Sequence, residues 1–273
     1  MAEVKLVAVD MDGTFLDDGK NYNRARFQRQ YAQLKARGIR FVVASGNQYY
    51  QLRSFFPGIA DEIAFVAENG AYVVEAGGDR FVGEFTRDDV MKIIDTLRHG
   101  SYPGLKFVLC GYHSAWYFPD APAAYIEKMR RYCHRLRAVA HLDEIDDRLF
   151  KFALNLSDDY VPTLIADIER HHAGVATAVS SGHGSADLII PGLHKANGLQ
   201  MLQKRWGIKD SEVVAFGDGG NDIEMLRHAG FGFAMENAPE KIKAIAPYRA
   251  PHNNEQGVLE IIDRVLDQAS PFS

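Results

Sequence analysis

The chain has 273 residues, 47% hydrophobic and 25% charged, an ordinary balance for a soluble globular protein with a substantial core. Its net charge of −5, with both signs mixed along the chain, excludes the clustered positive field that a general nucleic-acid or membrane surface needs. No apolar run reaches the length of about 18 residues needed to span a membrane, no charged-then-apolar leader opens the sequence, and Cys110 and Cys133 lack metal-ligand spacing. A cytoplasmic protein with reduced, packed thiols is expected, and no protein partner is readable.

The N-terminal third alternates short apolar strands with amphipathic helices. Lys5 to Val9 predicts a strand, Asn23 to Arg37 a helix closed by Gly38, Ile39 to Ala44 a strand and Gln48 to Phe55 a helix. Ile63 to Ala67 adds a strand, and Tyr72 to Glu75 with Arg80 to Val82 flank Ala76-Gly77-Gly78-Asp79 as a hairpin. Alternation of this kind predicts an α/β fold, a Rossmann-like, doubly wound parallel sheet with helices on both faces.

From about Phe85 to Pro191 the rhythm changes. Thr86 to His99 reads as a helix, Lys106 to Cys110 and Ala115 to Phe118 as strands, and Ala121 to Tyr132 as a helix. Leu149 to Leu156 then reads as a strand, Asp159 to His171 as a helix, and Val175 to Val179 and Ala186 to Ile190 as two further strands. This order predicts an inserted α+β domain with a mainly antiparallel sheet. The basic stretch Lys128 to Arg137 reads as a solvated helix face with Ile126, Met129 and Cys133 turned inward.

The parallel style returns with helix His194 to Trp206, strand Glu212 to Phe216, helix Asp222 to Ala229, strand Phe231 to Ala234 and a final helix Glu255 to Gln268. Residues 1–84 and 191–273 are thus expected to form one core and residues 85–190 a cap placed over the carboxyl ends of the core strands, where open α/β sheets bind ligands.

Chemistry concentrates at those strand ends. Asp10-Met11-Asp12-Gly13-Thr14 follows Leu6-Val7-Ala8-Val9, and alternation along a strand puts positions i and i+2 on one side. Converging carboxylates call for a divalent cation with oxygen ligands, although Asp and Gly also build ordinary turns. After the second strand, Ser45-Gly46-Asn47 offers a hydroxyl and backbone N–H groups as an anion seat, or a plain helix cap. Gly217-Asp218-Gly219-Gly220-Asn221-Asp222 repeats strand, acidic glycine-rich loop and helix; it can supply metal carboxylates, and its spacing fails the dinucleotide pattern. Lys195 opens the preceding helix and suits a phosphate, or is simply solvated. His171, His172, His183 and His194 lack paired zinc spacing, and neither a Gly-x-Ser-x-Gly elbow nor a phosphate-binding P-loop occurs.

Taken in order, Asp10-Met11-Asp12-Gly13-Thr14, Ser45, Lys195 and Gly217 to Asp222 resemble the four motifs of the haloacid dehalogenase-like hydrolases. The insert between the serine and lysine motifs looks like the large cap of the Cof-type branch. Further stretches, including Glu68-Asn69-Gly70 and Leu188 to Gly198, are similar to bacterial sugar phosphatases of that branch across nearly the whole chain.

The resemblance implies Mg2+ held by Asp10, the Asp12 backbone carbonyl and Asp218, with Asp222 in support. It implies Asp10 as nucleophile forming an aspartyl-phosphate and Asp12 as proton carrier. Ser45, Gly46, Lys195 and Asn221 would hold the phosphate of a small phosphorylated metabolite, a sugar phosphate. Asn69 is a further candidate for orienting the site, and His183, in Ser180-Ser181-Gly182-His183-Gly184, for touching the sugar. A phosphotransferase or mutase using the same aspartyl-phosphate and a noncatalytic phosphate sensor are the competing readings.

Overall fold

The computed structural model describes residues 3–182 and 184–273. Along the chain, β1 (Leu6–Val9) leads to α1 (Arg24–Ala36), β2 (Arg40–Ala44), α2 (Tyr49–Leu52), β3 (Ala64–Ala67), β4 (Tyr72–Glu75) and β5 (Gly78–Val82). There follow α3 (Arg87–His99), β6 (Lys106–Gly111), β7 (Ala115–Tyr117), α4 (Ala123–Met129), β8 (Leu136–Ala138), β9 (Leu149–Asn155), α5 (Val161–His171), β10 (Thr177–Gly182) and β11 (Ser185–Ile189). The chain closes with α6 (Lys195–Trp206), β12 (Val213–Gly217), α7 (Ile223–His228), β13 (Phe231–Met235), α8 (Glu240–Lys243), β14 (Tyr248–Ala250) and α9 (Gly257–Leu266).

The first sheet has the order β14-β13-β12-β1-β2-β3-β4-β5. Pairing is parallel from β14 to β3, and the β4–β5 hairpin adds an antiparallel edge. All four residues of β1 are buried because both faces of the strand are covered. Val7 and Val9 join Phe27, Leu34, Ile261 and Ile262 on the α1 and α9 side, while Leu6 and Ala8 join Leu199, Leu202 and Met225 on the α6 and α7 side. This period-two division is what a continuous apolar run becomes when helices cover both faces.

The register fixes what meets at the strand ends. Val9 stands opposite Val43 of β2 and Phe216 of β12, and Ala44 opposite Val66 of β3. The residues just beyond, Asp10, Ser45, Asp218 and Glu68, therefore gather at one edge, at the point where strand order reverses about β1.

The second sheet has the order β10-β11-β9-β6-β7-β8, antiparallel except for the parallel β7–β8 pair. Val90, Ile93, Leu97, Leu164 and Ile168 of α3 and α5 pack on one face against Leu109, Phe152, Leu154 and Leu188. Residues of the other face, among them Val108, Cys110 and Phe150 with Tyr125 and Ile126 of α4, belong to the same buried apolar cluster as the first sheet. Tyr72 bridges the two, its ring 6.5 Å from Phe150 and 5.4 Å from Tyr112.

Several expected boundaries move. The helix predicted over Ala121 to Tyr132 stops at Met129, and Leu136–Ala138 of the supposed solvated face is instead a strand beside β7. Tertiary contacts override local propensity there. The Arg135 guanidinium lies 3.4 Å from the centre of the Tyr50 ring, and its backbone N–H and C=O both bond the Gln48 side chain. The short α8 and the edge strand β14 carry too few residues to show periodicity.

Gly70 has φ +99°, and a side chain there would collide with the backbone carbonyl of His194, which precedes α6. That carbonyl cannot swing aside as a flexible side chain can. Gly70→Ala is expected to destabilise the protein by about 1–3 kcal/mol, read as a lowered urea midpoint; an unchanged midpoint would mean that this contact does not fix the start of α6.

Candidate active site

Asp10 leaves β1 into a wide helical turn over Met11–Phe15, in which Gly13 takes φ +73°. A Cβ at Gly13 would overlap the Asp218 carboxylate, so this position needs glycine for both conformation and space. Thr14 donates to Asp218 at 2.8 Å, and Asn237 donates to the Gly13 carbonyl at 2.8 Å, fixing the turn against the β12 end.

Carboxylate oxygens of Asp10, Asp218 and Asp222 come within 4.8 Å of one another. Lys195, 1% exposed at the start of α6, donates to Asp10 and to Asp222, each at 2.7 Å. Asp222 also accepts from the backbone N–H groups of Asp218 and Gly219, both at 3.0 Å, which shapes the acidic loop. Burial and the neighbouring Asp222 push the Asp10 carboxyl well above the usual range, against the pull of Lys195. Burial and Asp222 likewise raise Asp218 to about 6, while its bond from Thr14 works the other way. For Lys195, burial lowers the pKa, but Asp10 and Asp222 more than reverse that, so it is held firmly as an ammonium.

Asp12 stands apart from this cluster. Its side chain is one-third exposed and accepts from Lys20 at 2.8 Å and from Asn47 at 2.7 Å. The buried Ser45 Oγ accepts from the Asn47 backbone N–H at 3.1 Å, leaving its hydroxyl hydrogen to donate elsewhere. Asn69 and Asn221 are joined, Asn221 donating to Asn69 at 3.1 Å, and Asn69 donates to Asp187 of β11 at 2.8 Å.

Several of these groups line one cavity of about 450 Å³ between the two sheets, while Lys195 and Asp222 are buried and outside its lining. Asp10, Asp12, Ser45, Gly46, Asp218 and Asn221 line its first-sheet side. Tyr125, Lys128, Tyr132, Lys151, Asn155 and Asp187 line the opposite side. Lys128 and Tyr132 thus border the cavity, where the sequence suggested only a solvated face. The Tyr125 hydroxyl, buried in that wall, has no hydrogen-bond partner among the described residues. His183 lies outside the described residues. His194 caps α6, its ring accepting from the Asn197 N–H, and His172 bonds Thr96 at 2.7 Å.

Sequence reading missed Lys20, Lys151 and Asp187, and quoted Thr14 only as the last residue of the first motif. Lys151 and Asp187 did leave a signal, each a single charge inside an otherwise apolar strand. Lys20 left none, because it reaches Asp12 only through the loop that precedes α1.

The donor set suits a hard divalent cation. Three carboxylates face a single ammonium, leaving an excess of negative charge, and every available donor is oxygen.

A model of the haloacid dehalogenase-like hydrolases matches residues 7–262, and the chain belongs to that family. It is a phosphoric monoester hydrolase of the Cof-type branch. Over 269 residues, 98% of each chain, it is 55% identical to a protein of Escherichia coli strain K12 named 5-amino-6-(5-phospho-D-ribitylamino)uracil phosphatase YbjI. It is 25% identical over 262 residues, 94% of this chain and 96% of the relative, to YitU of Bacillus subtilis strain 168, which carries the same activity in its name. The crystal structure of SMU.1108c from Streptococcus mutans UA159 superposes with a TM-score of 0.93 at 37% identity, spanning 97% of this chain and 100% of that one.

Lys195→Met would leave two buried carboxylates without their counter-charge. A loss of about 3–5 kcal/mol is expected in metal-free protein, partly recovered on adding a divalent cation, as read by thermal melts. Asp218 supplies a pH test: a carboxyl whose folded pKa exceeds its unfolded value stabilises at low pH, and this contribution is lost as pH rises through about 6. Metal-free protein should lose melting temperature between about pH 4 and 6, and Asp218→Asn should flatten that slope; an identical slope in the variant would contradict the assignment.

Proposed function

We propose that this chain is a magnesium-dependent phosphatase acting on phosphorylated polyols or sugars through an aspartyl-phosphate at Asp10, with residues 85–190 serving as a cap over the site. The observation that carries the reading is the separation of two kinds of carboxylate at one cavity. Asp10, Asp218 and Asp222 are clustered around Lys195, whereas Asp12 is drawn aside by Lys20 and Asn47.

A nucleophile must be aimed and ionised: the geometry aims Asp10, and a bound cation would offset the burial that pushes its carboxyl toward protonation. Lys195 opposes the burial that would protonate it and fixes one oxygen, leaving the other to attack phosphorus. As the new P–O bond forms, the bond to the leaving alcohol breaks and Asp12 delivers its proton to that alcohol. Asp12 then takes a proton from water, whose oxygen attacks the aspartyl-phosphate, releasing phosphate and restoring the Asp10 carboxylate. The Ser45 hydroxyl, the Gly46 backbone, Lys195 and the Asn221 amide are suited to hold phosphoryl oxygens, as donors to an anion. Asp10, the Asp12 backbone carbonyl and Asp218 would hold Mg2+, with Asp222 in support, and the ion would neutralise charge between nucleophile and phosphoryl oxygens.

The substrate is narrowed by the relatives. Two proteins that match nearly end to end are named as phosphatases of a ribityl phosphate attached to a uracil ring. A cavity of about 450 Å³ with a polar strip and two tyrosines fits a hydroxyl-rich chain joined to a planar ring. We therefore assign 5-amino-6-(5-phospho-D-ribitylamino)uracil as the first substrate to measure.

Phosphate release should be fastest with that compound in a panel that includes ribitol 5-phosphate and hexose phosphates, and chelation should abolish it. Asp10→Asn should remove turnover. Asp12→Asn should lower kcat by about 10²–10⁴-fold while leaving magnesium affinity near wild type, and Asp218→Asn should weaken magnesium binding itself. Full turnover by Asp10→Asn would eliminate the nucleophile assignment, and a flat panel would eliminate the substrate assignment.

A further inference from the structure

The turn that ends β3 is strained and buried. Glu68 has φ +54°, Asn69 φ +57° and Gly70 φ +99°, three successive residues in the left-handed region, and Glu68 is 2% exposed. Glutamate gains nothing locally from this conformation, so the surroundings must impose it. Two backbone bonds tie the turn to the serine loop: the Glu68 N–H donates to the Asn47 carbonyl at 3.1 Å and the Asn69 N–H to the Ser45 carbonyl at 3.0 Å.

The charge that completes this arrangement comes from the other sheet. Lys151 of β9, 4% exposed, forms an ion pair with Glu68 at 3.0 Å, donates to the Gly46 carbonyl and lies 3.9 Å from Asp187. One ammonium thus contacts both loops on which the phosphate side of the cavity is built. Asn47 continues from the first loop to Asp12, and Asn69 from the second to Asn221.

We propose that Lys151 is a positioning residue: its ammonium, delivered by the second sheet, holds the Glu68–Asn69–Gly70 turn and the Ser45–Gly46–Asn47 loop in their working arrangement, so the site is complete only when the two sheets meet. Its catalytic consequence rests on the phosphatase reading above, whereas its structural consequence does not. Because Lys151 is engaged by Glu68 and Gly46, it acts through these loops and not by gripping the leaving group.

The test uses Lys151→Met, Glu68→Gln and the double variant, the last removing both buried charges so that neither is left alone. In Lys151→Met, amide hydrogen exchange over Glu68–Gly70 should quicken by at least about tenfold, a measurement that needs no substrate. Its kcat should fall by about 10²-fold, with little change in KM, equally on 5-amino-6-(5-phospho-D-ribitylamino)uracil and on acetyl phosphate, which carries no polyol or ring for β9 to grip. The double variant should lie within about threefold of Lys151→Met, because both remove the same interaction. Unchanged exchange overturns the proposal, as does an additive double variant. A loss confined to the larger substrate also overturns it, since that would show Lys151 contacting substrate directly.

Discussion

The structure depends on holding three carboxylates together away from water. At separations of no more than 4.8 Å, each pair repels by at least about 3 kcal/mol at an effective dielectric near 20. Lys195, at 2.7 Å from two of them, returns about 6 kcal/mol per contact by the same measure. These terms nearly cancel, which leaves the desolvation of the group unmatched and the site short of positive charge. The raised Asp10 and Asp218 carboxyls express that shortage. In the proposed function a divalent cation would relieve that shortage.

The surrounding fold keeps these groups from drifting apart. Parallel register sets the ends of β1, β2, β3 and β12 side by side, and burial on both faces of β1 leaves no room for a slip. α6 brings Lys195 in by its first residue, with Leu199 and Leu202 anchoring the helix in the core. Gly13 and Gly70 admit close approaches at the site, one to Asp218 and one to His194, the residue preceding Lys195.

The part of this design legible in the sequence is the part with strong local signatures. Apolar strands ending in Asp10, Ser45 and Asp218, and a helix opening at Lys195, could be placed because each motif follows directly from its element. The change of rhythm after Phe85 likewise foretold a second, mainly antiparallel sheet. What could not be read were contacts made only once the chain folds: Lys20 on Asp12 across an irregular loop, and Lys151 on Glu68 and Asp187 on Asn69 between distant segments. No periodicity encodes such pairs. The segment after Met129 failed for the same reason, since Gln48 and Tyr50, more than eighty residues earlier, capture Arg135 and end the helical pattern.

The distinction between Asp10 and Asp12 is set by position, since the two side chains are chemically identical. Asp10, 7% exposed, sits where charge is costly and is shared with Lys195, and in the proposed mechanism with a cation. Asp12 sits at the mouth, where water, Lys20 and Asn47 share its charge. A group that gives and takes protons needs access to water and freedom from the metal; a nucleophile needs neither. Two residues of sequence separation, across the turn in which the chain leaves β1, are enough to place one carboxylate in each environment. In the proposed mechanism this asymmetry makes hydrolysis run in two steps, because the acid that completes the first is already placed to act as the base of the second.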